Sequence, residues 1–307
     1  MSSGTAIEVE IEGRQLKLSN LDKLFYPKTG FTKGQVIDYY TRVAPVLLPH
    51  LEGRPLTMKR YPNGVEGKFF YEKECPKHRP EWVRTKRITS RGSTKDRDHV
   101  NFCIVDDLAT LVWAANLADL ELHTSLSRAD DMSHPTMVAF DLDPGPGTTI
   151  VECCRIAGWL RTIFGELGVE GFPKTSGSKG LQVYVPLNSK ATYTKTRAFA
   201  LAIAELLERT HPELVVSNMK KELRKGKVLV DWSQNNQHKT TVCVYSLRAK
   251  ERPTASTPVT WDEVEKCLKK GDPDLLAFES SDVLKRVDKH GDLFAPVLEL
   301  EQEVPKL

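Results

Sequence analysis

The sequence predicts one mixed α/β domain (α+β in its arrangement), with two sheets flanked by helices and a cleft between its N- and C-terminal halves. Three observations carry this. Residues 136–232 read in the order β-α-β-β-α-β. The preceding 130 residues alternate short apolar runs with two stretches of helical period. Hydrophobic residues form 40% and charged residues 28% of the 307, enough apolar content to fill a core.

Taken in order, residues 7–19 alternate as a short hairpin with Glu12-Gly13 at its turn. TKGQVIDYYTRVAPVLLPHL has helical period, with Thr32 placed to cap it, and should stop near Pro49. Pro55 then precedes a strand, LTMKRYP. Residues 84–98 are charged and turn-rich, a surface loop or exposed hairpin. DDLATLVWAANLAD reads as a helix capped by Asp106 or Asp107, and ELHTSL as extended chain. TMVAFDLD reads as a buried strand, and TTIVECCRIAGWLRTIFGELG as a helix ended by Gly168. GFPKTS and LQVYVPL are strands around the glycine turn Gly177–Gly180. Residues 194–209 are a helix, and KVLVDWS and TVCVYSL two more strands. Residues 251–307 look peripheral, with a Thr260/Glu263 capping pattern and a loosely ordered EQEVPKL tail. The β-α-β-β-α-β order is the split unit of ferredoxin-like folds and many polymerase palms, and it hosts unrelated functions.

Net charge is only +3, but basic residues cluster in the first hundred positions: Lys23, Lys28, Lys33; Lys59, Arg60; Lys68, Lys73, Lys77; Arg84, Lys86, Arg87, Arg91. Such clusters can follow a phosphate backbone, or simply be solvated faces. MSSGTAIEVEIEG lacks the basic and apolar regions of a secretory signal, and no run reaches the ~18 apolar residues of a membrane span. A cytoplasmic protein without a membrane partner is expected. Disulfides are then not expected, and Cys153 and Cys154 read as small core residues. Cys75 and His78, with His99 and Cys103, are the one spacing that could hold zinc.

The sharpest local signal is Asp141-Leu142-Asp143 at the end of an apolar strand, before Pro144-Gly145. Residues i and i+2 of a strand share a face, and two close carboxylates repel unless a cation lies between them. Hard divalent ions suit such oxygens, and two-metal phosphoryl transfer uses them. The same Asp-x-Asp reads equally as two solvated, turn-initiating aspartates. Asp231 is a third acid, inside VLVDW, where burial demands a cation or a hydrogen-bond network. The simplest split unit sets the first and last strands antiparallel. Asp231 then meets Asp141 only if it lies early in its strand or the topology differs. KTSGSKG resembles a phosphate cradle, though it is no Walker A loop and by itself reads first as a Ser/Gly-rich hairpin turn.

Together these segments resemble the polymerase domain of bacterial ligase D, the end-joining branch of the archaeo-eukaryotic primase superfamily. The resemblance runs from LSNLDKLFYPKTGFTKG through MKRYPNGVEGKFFYEK, ELH, FDLDPG, TSGSKGL and VDWSQN to TTVCVYSLR, seven ordered motifs across about 230 residues. It implies a primase-polymerase fold: an N-terminal DNA-binding half (about 1–130), an RRM/ferredoxin-like catalytic palm (about 131–250) and a peripheral segment (251–307). It implies that Asp141, Asp143 and Asp231 hold manganese or magnesium, two ions in all. Lys59, His123, Ser176, Lys179, Gln234 and Arg248 match contacts to an incoming NTP or dNTP. Phe69 and Phe70 match an aromatic pair stacking on template bases, and Lys23 and Lys33 a pocket for the 5′ phosphate of a gap or break. Taken alone, the phenylalanines read first as core residues, and His123 equally well as one.

One position departs from the family. Histidine usually follows SGSKGL, and here Gln182 stands there, a hydrogen-bonding group without charge that is expected to touch the triphosphate more weakly. The implied function is template-directed gap filling and end extension in DNA repair, with primase ancestry, close to the nucleoid. Its partners would be gapped or broken duplex DNA, a separate ligase and an end-binding protein. Two other readings remain: a metal-dependent nuclease, against which the triphosphate contacts argue, and a non-catalytic module that bridges DNA ends.

Overall fold

A computed structural model of the chain describes residues 6–89 and 98–306. β1 (Ala6–Ile11) and β2 (Arg14–Ser19) form the expected hairpin, turning through Glu12 and Gly13 at φ 51° and 73°, the primed turn that matches strand twist. β3 (Leu24–Tyr26) and β4 (Phe31–Thr32) pair before helix α1 (Lys33–Leu51). Thr32 and Gln35 close a capping box on α1. The helix passes Pro45 and Pro49 and ends two residues later than expected, because its buried face, Tyr40 to Leu47 to Leu51, keeps its packing where single N–H groups are lost.

β5 (Pro55–Arg60), β6 (Phe70–Glu72), β7 (Thr85–Thr89), β8 (His99–Ile104), α2 (Leu108–Asn116) and β9 (Asp119–Thr124) follow. Asp107 caps α2. After the small hairpin of β10 (Ser127–Arg128) and β11 (Asp131–Pro135) come β12 (Met137–Pro144), α3 (Ile150–Glu166), β13 (Phe172–Thr175) and β14 (Leu181–Pro186). The chain continues through α4 (Tyr193–Thr210), β15 (Val215–Val216), β16 (Val228–Asp231), β17 (Thr241–Val242), α5 (Trp261–Lys270), α6 (Ser280–His290) and α7 (Pro296–Glu299). One sheet has the order β13-β14-β12-β16-β15, and the other β17-β9-β5-β8-β7 with β6 on β5.

The alternation of β12 sets the layers. Val138, Phe140 and Leu142 pack with Ile156 and Leu160 of α3 and Phe199 of α4. Met137 and Ala139, on the opposite face, join the core of the other sheet with Tyr40, Leu120 and Tyr245. Where that face changes from Ala139 to Asp141, the space between the sheets becomes a cleft.

Several expectations are corrected. Only the first two residues of TVCVYSL are strand: Tyr245 turns at φ 65°, and β17 pairs with β9, not with the palm. The segment after 250 is not all peripheral, since Ala255, Ser256 and Thr257 are buried and Thr257 C=O accepts from Thr175 N–H at 2.8 Å. The acidic tail is held by Gln302, which donates to Leu187 and Pro186 carbonyls at 2.8 Å each. Cys75 and Cys103 are joined as a disulfide with Cα atoms 5.0 Å apart, where free thiols were expected. The Cys75 N–H bond to Asn101 C=O (2.6 Å) draws that segment onto β8. His78 and His99 are exposed, and among the described residues no three His, Cys, Asp or Glu side chains close on one metal position, so the zinc alternative falls.

Residues 84–98 begin as β7, which pairs with β8 from Thr85–Cys103 to Thr89–His99. Residues 90–97, with Arg91, lie outside the described residues, as do the first five and Leu307. No described helix is long and apolar enough to cross a membrane.

Candidate active site

The carboxylates meet through strand register. β12 and β16 are antiparallel, with Asp141 opposite Asp231 and Asp143 opposite Leu229. Directly opposed residues share a face, so all three acids lie on the cleft side of the sheet. Neither condition set by the sequence is needed: β12, β13, β14 and β16 keep the order of the split unit, with β15 added at its edge, and Asp231 is the last residue of its strand. β16 is short and meets only residues 141–144 of β12, so its end reaches the middle of that strand.

Burial, then the charges of Asp143 and Asp231, pushes the Asp141 carboxyl up to about 7, against a hydrogen bond from Gln182 that lowers it. Burial, then Asp231, raises Asp143. Asp231 is turned into its own loop: Oδ1 accepts from Ser233 N–H (2.8 Å) and Oδ2 from Gln234 Nε2 (2.9 Å). The three acids therefore do not form a closed cage. Their oxygens and mutual repulsion fit a hard divalent ion, held by one or two carboxylates and completed by phosphate oxygens of a substrate.

Asp141 and Asp143 line a cavity of about 380 Å³ together with His123, Ser176, Lys179, Gln234, Arg248 and Arg224. The glycine loop that carries Ser176 and Lys179 is closed internally. Ser176 Oγ accepts from Ser178 N–H (3.2 Å) and Gly180 N–H (3.1 Å). A Cβ on Gly180 would sit 2.2 Å from Leu142 O, so this turn packs directly on β12. Two loop amides expected to face an anion are thus occupied. The loop presents Lys179, which is exposed, together with its hydroxyls.

Glu121, which the sequence reading passed over, organises the cationic wall. It is 1% exposed and lies 3.2 Å from Lys59 Nζ, 3.1 Å from His123 Nε2 and 3.4 Å from Arg248 Nε. Its other oxygen accepts from Ala249 N–H at 3.0 Å. Burial works to raise its pKa, but the His123 hydrogen bond and the charges of Arg248, His123 and Lys59 outweigh it and hold the carboxylate far below its usual range. Burial lowers His123, partly offset by Glu121. Three of the expected nucleotide contacts are thereby tied to one anion.

Gln182 lines the cavity but is only 4% exposed, and its amide is engaged at both ends. Nε2 donates to Asp141 Oδ1 at 3.0 Å, and Oε1 accepts from Lys174 Nζ at 2.6 Å. The amide expected to meet a triphosphate is held by the protein itself, because the sheet register (Lys174, Gln182, Asp141) brings a donor and an acceptor against it.

Phe69 and Phe70 are half exposed but serve different faces. Phe69 stacks on Tyr61 (5.2 Å between centroids) and lies under Lys59, whereas Phe70 is opposite Arg60 and stacks with its guanidinium. Tyr71 continues the Phe69 face towards His123, 5.9 Å away edge-on. Lys23 and Lys33 lie outside this cavity. Lys23 Nζ donates to Pro62 C=O and Asn63, and the buried Lys33 Nζ to Ser19 C=O and Asn116. Burial, then the neighbouring Lys23 charge, lowers Lys33 to about 8.

Sequence reasoning missed Glu121, Tyr71 and Arg224, and it read Lys174 as the first residue of the phosphate cradle, whereas Lys174 is buried against Gln182. Glu121 and His123 had a legible signal, two polar residues at i and i+2 in an apolar strand. Lys174 is likewise a charge inside FPKT. Arg224 had none, because its place beside Asp143 depends on the approach of its loop to Gly145, whose Cβ would meet Arg224 O at 1.9 Å.

A family model described as "LigD, primase-polymerase domain" matches residues 32–294. The chain is 42% identical over 285 residues to the "Multifunctional non-homologous end joining protein LigD" of Mycolicibacterium smegmatis, covering 92% of this chain and 36% of that one. It is 32% identical over 292 residues to the "Bifunctional non-homologous end joining protein LigD" of Bacillus subtilis, covering 95% of this chain and 45% of that one. It therefore spans less than half the length of these relatives. Among solved structures it matches the "Polymerase Domain from Mycobacterium tuberculosis Ligase D in complex with DNA", with a TM-score of 0.85 and 38% identity, over 94% of this chain and 99% of that one.

Proposed function

The chain belongs to the LigD primase-polymerase domain family, and on that premise we propose that it is a divalent-metal-dependent nucleotidyltransferase that extends a DNA 3′ end across gaps and breaks. One observation carries the reading. Asp141 and Asp143 of the palm sheet, with Asp231 opposite Asp141 in register, share a single cavity with Lys179 of the glycine loop and with His123 and Arg248, which Glu121 ties to the other sheet. Hydrolysis needs the acids alone. A triphosphate substrate needs both walls.

In this reading Lys59, His123, Ser176, Lys179, Gln234 and Arg248 receive the triphosphate of an NTP or dNTP. Asp141 and Asp143, with Asp231, hold manganese or magnesium, as one or two ions. Bound there, the ion supplies charge neutralisation on the phosphate oxygens and acidifies the attacking hydroxyl. The side chains supply the rest by position: they fix the triphosphate, spread its charge over several donors and exclude water from one side of the cleft. Phe69, with Tyr61 and Tyr71, offers exposed rings for template bases, a contact of about 1–3 kcal/mol per base. Lys23 and Lys33 receive a 5′ phosphate at the far side of a gap. The domain boundaries follow these roles in outline: the palm from 131 to 250 carries the acids and the glycine loop, and the half before residue 130 carries the DNA contacts and, through Lys59 and His123, part of the triphosphate site. Partners would be gapped or broken DNA, a ligase and an end-binding protein, in the cytoplasm at the nucleoid.

The test is extension of a labelled primer on 5′-phosphorylated gapped DNA with manganese or magnesium and each of NTP and dNTP. Longer products that vanish in Asp141→Ala and Asp143→Ala support the reading. Shortened primer would make the protein a nuclease. Unchanged primer with intact DNA binding would make it an end-bridging module, a role compatible with Asp231 being held by its own loop.

A further inference from the structure

We propose that Gln182 is a positioning residue for Asp141, with its amide polarity locked by the buried Lys174, so that the Lys174–Gln182–Asp141 row across β13, β14 and β12 sets how the palm receives its metal. The proposal rests on the nucleotidyltransferase reading above.

The lock follows from counting donors. Lys174 is 1% exposed and has three acceptors around Nζ: Gln182 Oε1 at 2.6 Å, Ser256 Oγ at 2.7 Å and Val242 C=O at 3.2 Å. Ser256 Oγ gives its own hydrogen to Thr175 C=O at 2.9 Å, so towards Lys174 it can only accept. Three acceptors match the three N–H groups of an ammonium. Tyr184 Oη also approaches Gln182 Oε1, at 3.4 Å. With donors on that side, the carbonyl of the amide must face Lys174 and the NH₂ must face Asp141. An amide that is otherwise free to flip is therefore held in one sense.

That sense matters at Asp141. Its Oδ1 accepts the Gln182 N–H at 3.0 Å, while Oδ2 receives no hydrogen bond from the described residues. The carboxylate plane is thus held from behind, with one oxygen committed to the protein and the other left for a ligand. This is the arrangement by which an outer residue orients a ligating one, and loss of such a partner typically lowers metal affinity or activity about 10–100-fold. A glutamine does this without adding charge beside three acids. A histidine could do it only by accepting from Lys174 on one ring nitrogen and donating to Asp141 from the other. A glutamate would face Asp141 with a like charge.

The experiment compares wild type, Gln182→Leu, Gln182→His and Lys174→Met/Gln182→Leu, the last removing a lysine that would otherwise lose an acceptor in the core. Manganese binding is titrated by electron paramagnetic resonance, with Asp141→Ala to identify the site. Nucleotide binding without metal is measured by equilibrium dialysis, and folding by thermal melting. The expected result is about 10-fold weaker manganese binding in whichever Leu variant folds, unchanged metal-free nucleotide binding, and recovery to within about 3-fold in Gln182→His. Wild-type manganese affinity in a folded Leu variant would overturn the proposal and leave the enzyme reading intact. So would a loss confined to metal-free nucleotide binding, which would make Gln182 a substrate contact. If wild type shows no Asp141-dependent manganese site, the underlying reading fails and takes this proposal with it.

Discussion

Arg248 Nε stands 3.4 Å from the buried carboxylate of Glu121, although 127 positions separate them in the chain. Through Glu121 the arginine shares one anion with Lys59 and His123. Lys59 and Arg248 can wait beside His123 for a polyphosphate because a fixed negative charge offsets their repulsion.

Glu121→Ala should therefore destabilise the fold by about 3–5 kcal/mol, the usual cost of leaving buried charges without their partner. Urea denaturation measures this. The pH dependence has a definite sign. A carboxylate held below its usual range contributes stability fully above the unfolded Glu pKa of about 4.3, and loses it as pH falls towards its own lower value. The component lost in acid should be missing from Glu121→Gln. Equal acid sensitivity in the two proteins would contradict the hub.

Asp143→Asn should stabilise the metal-free protein while abolishing nucleotide addition. Burial and the Asp231 charge both disfavour the Asp143 carboxylate, and an amide relieves them. A gain of about 0.5–2 kcal/mol is expected, the common return when a strained functional site is relaxed. Thermal melting in a chelator, paired with primer extension, reads both. A less stable or still active variant would refute it.

A 5′ phosphate on the downstream strand should tighten DNA binding, and Lys23→Ala should erase the preference with little change in stability. Lys33→Ala should erase it too, but at a structural cost of about 1–3 kcal/mol, because Ser19 C=O and Asn116 lose their buried donor. Since the contacts are to phosphate, the preference should weaken as salt rises. Fluorescence anisotropy on the two DNAs, with melting of each variant, decides the matter; a preference surviving in Lys23→Ala would remove that lysine from the pocket.

Gly145→Ala should cost both stability and rate. Its Cβ would fall 1.9 Å from Arg224 O, a backbone atom that can yield only if the loop carrying Arg224 moves away from Asp143. Overpacking of this kind costs about 1–3 kcal/mol, and a displacement near 1 Å beside reacting groups can lower the rate about 100-fold. Single-turnover kinetics at saturating nucleotide isolates the second effect. An alanine variant with normal rates would show that the close approach has no catalytic consequence.

Much of this protein is written locally in its sequence. The Thr32 and Thr149 capping boxes, the Glu12-Gly13 turn and the buried alternation of TMVAFDLD are short-range patterns, because helix ends, primed turns and strand faces are decided by residues a few positions apart. Motif order over most of the chain likewise identified the family before any side chain was placed. What tertiary structure alone decided is which distant groups touch. The pairing of Asp141 with Asp231 depends on where a four-residue strand begins its register, and nothing within either segment states that. Gln182 read from sequence as a weak triphosphate donor, but two flanking strands spend its amide on Lys174 and Asp141. Cys75 and Cys103 read as free thiols until a sheet edge brought their backbones together. Register, sheet order and the approach of loops are long-range consequences of packing. A sequence read segment by segment shows the chemistry of each residue, and only the folded chain chooses its partner.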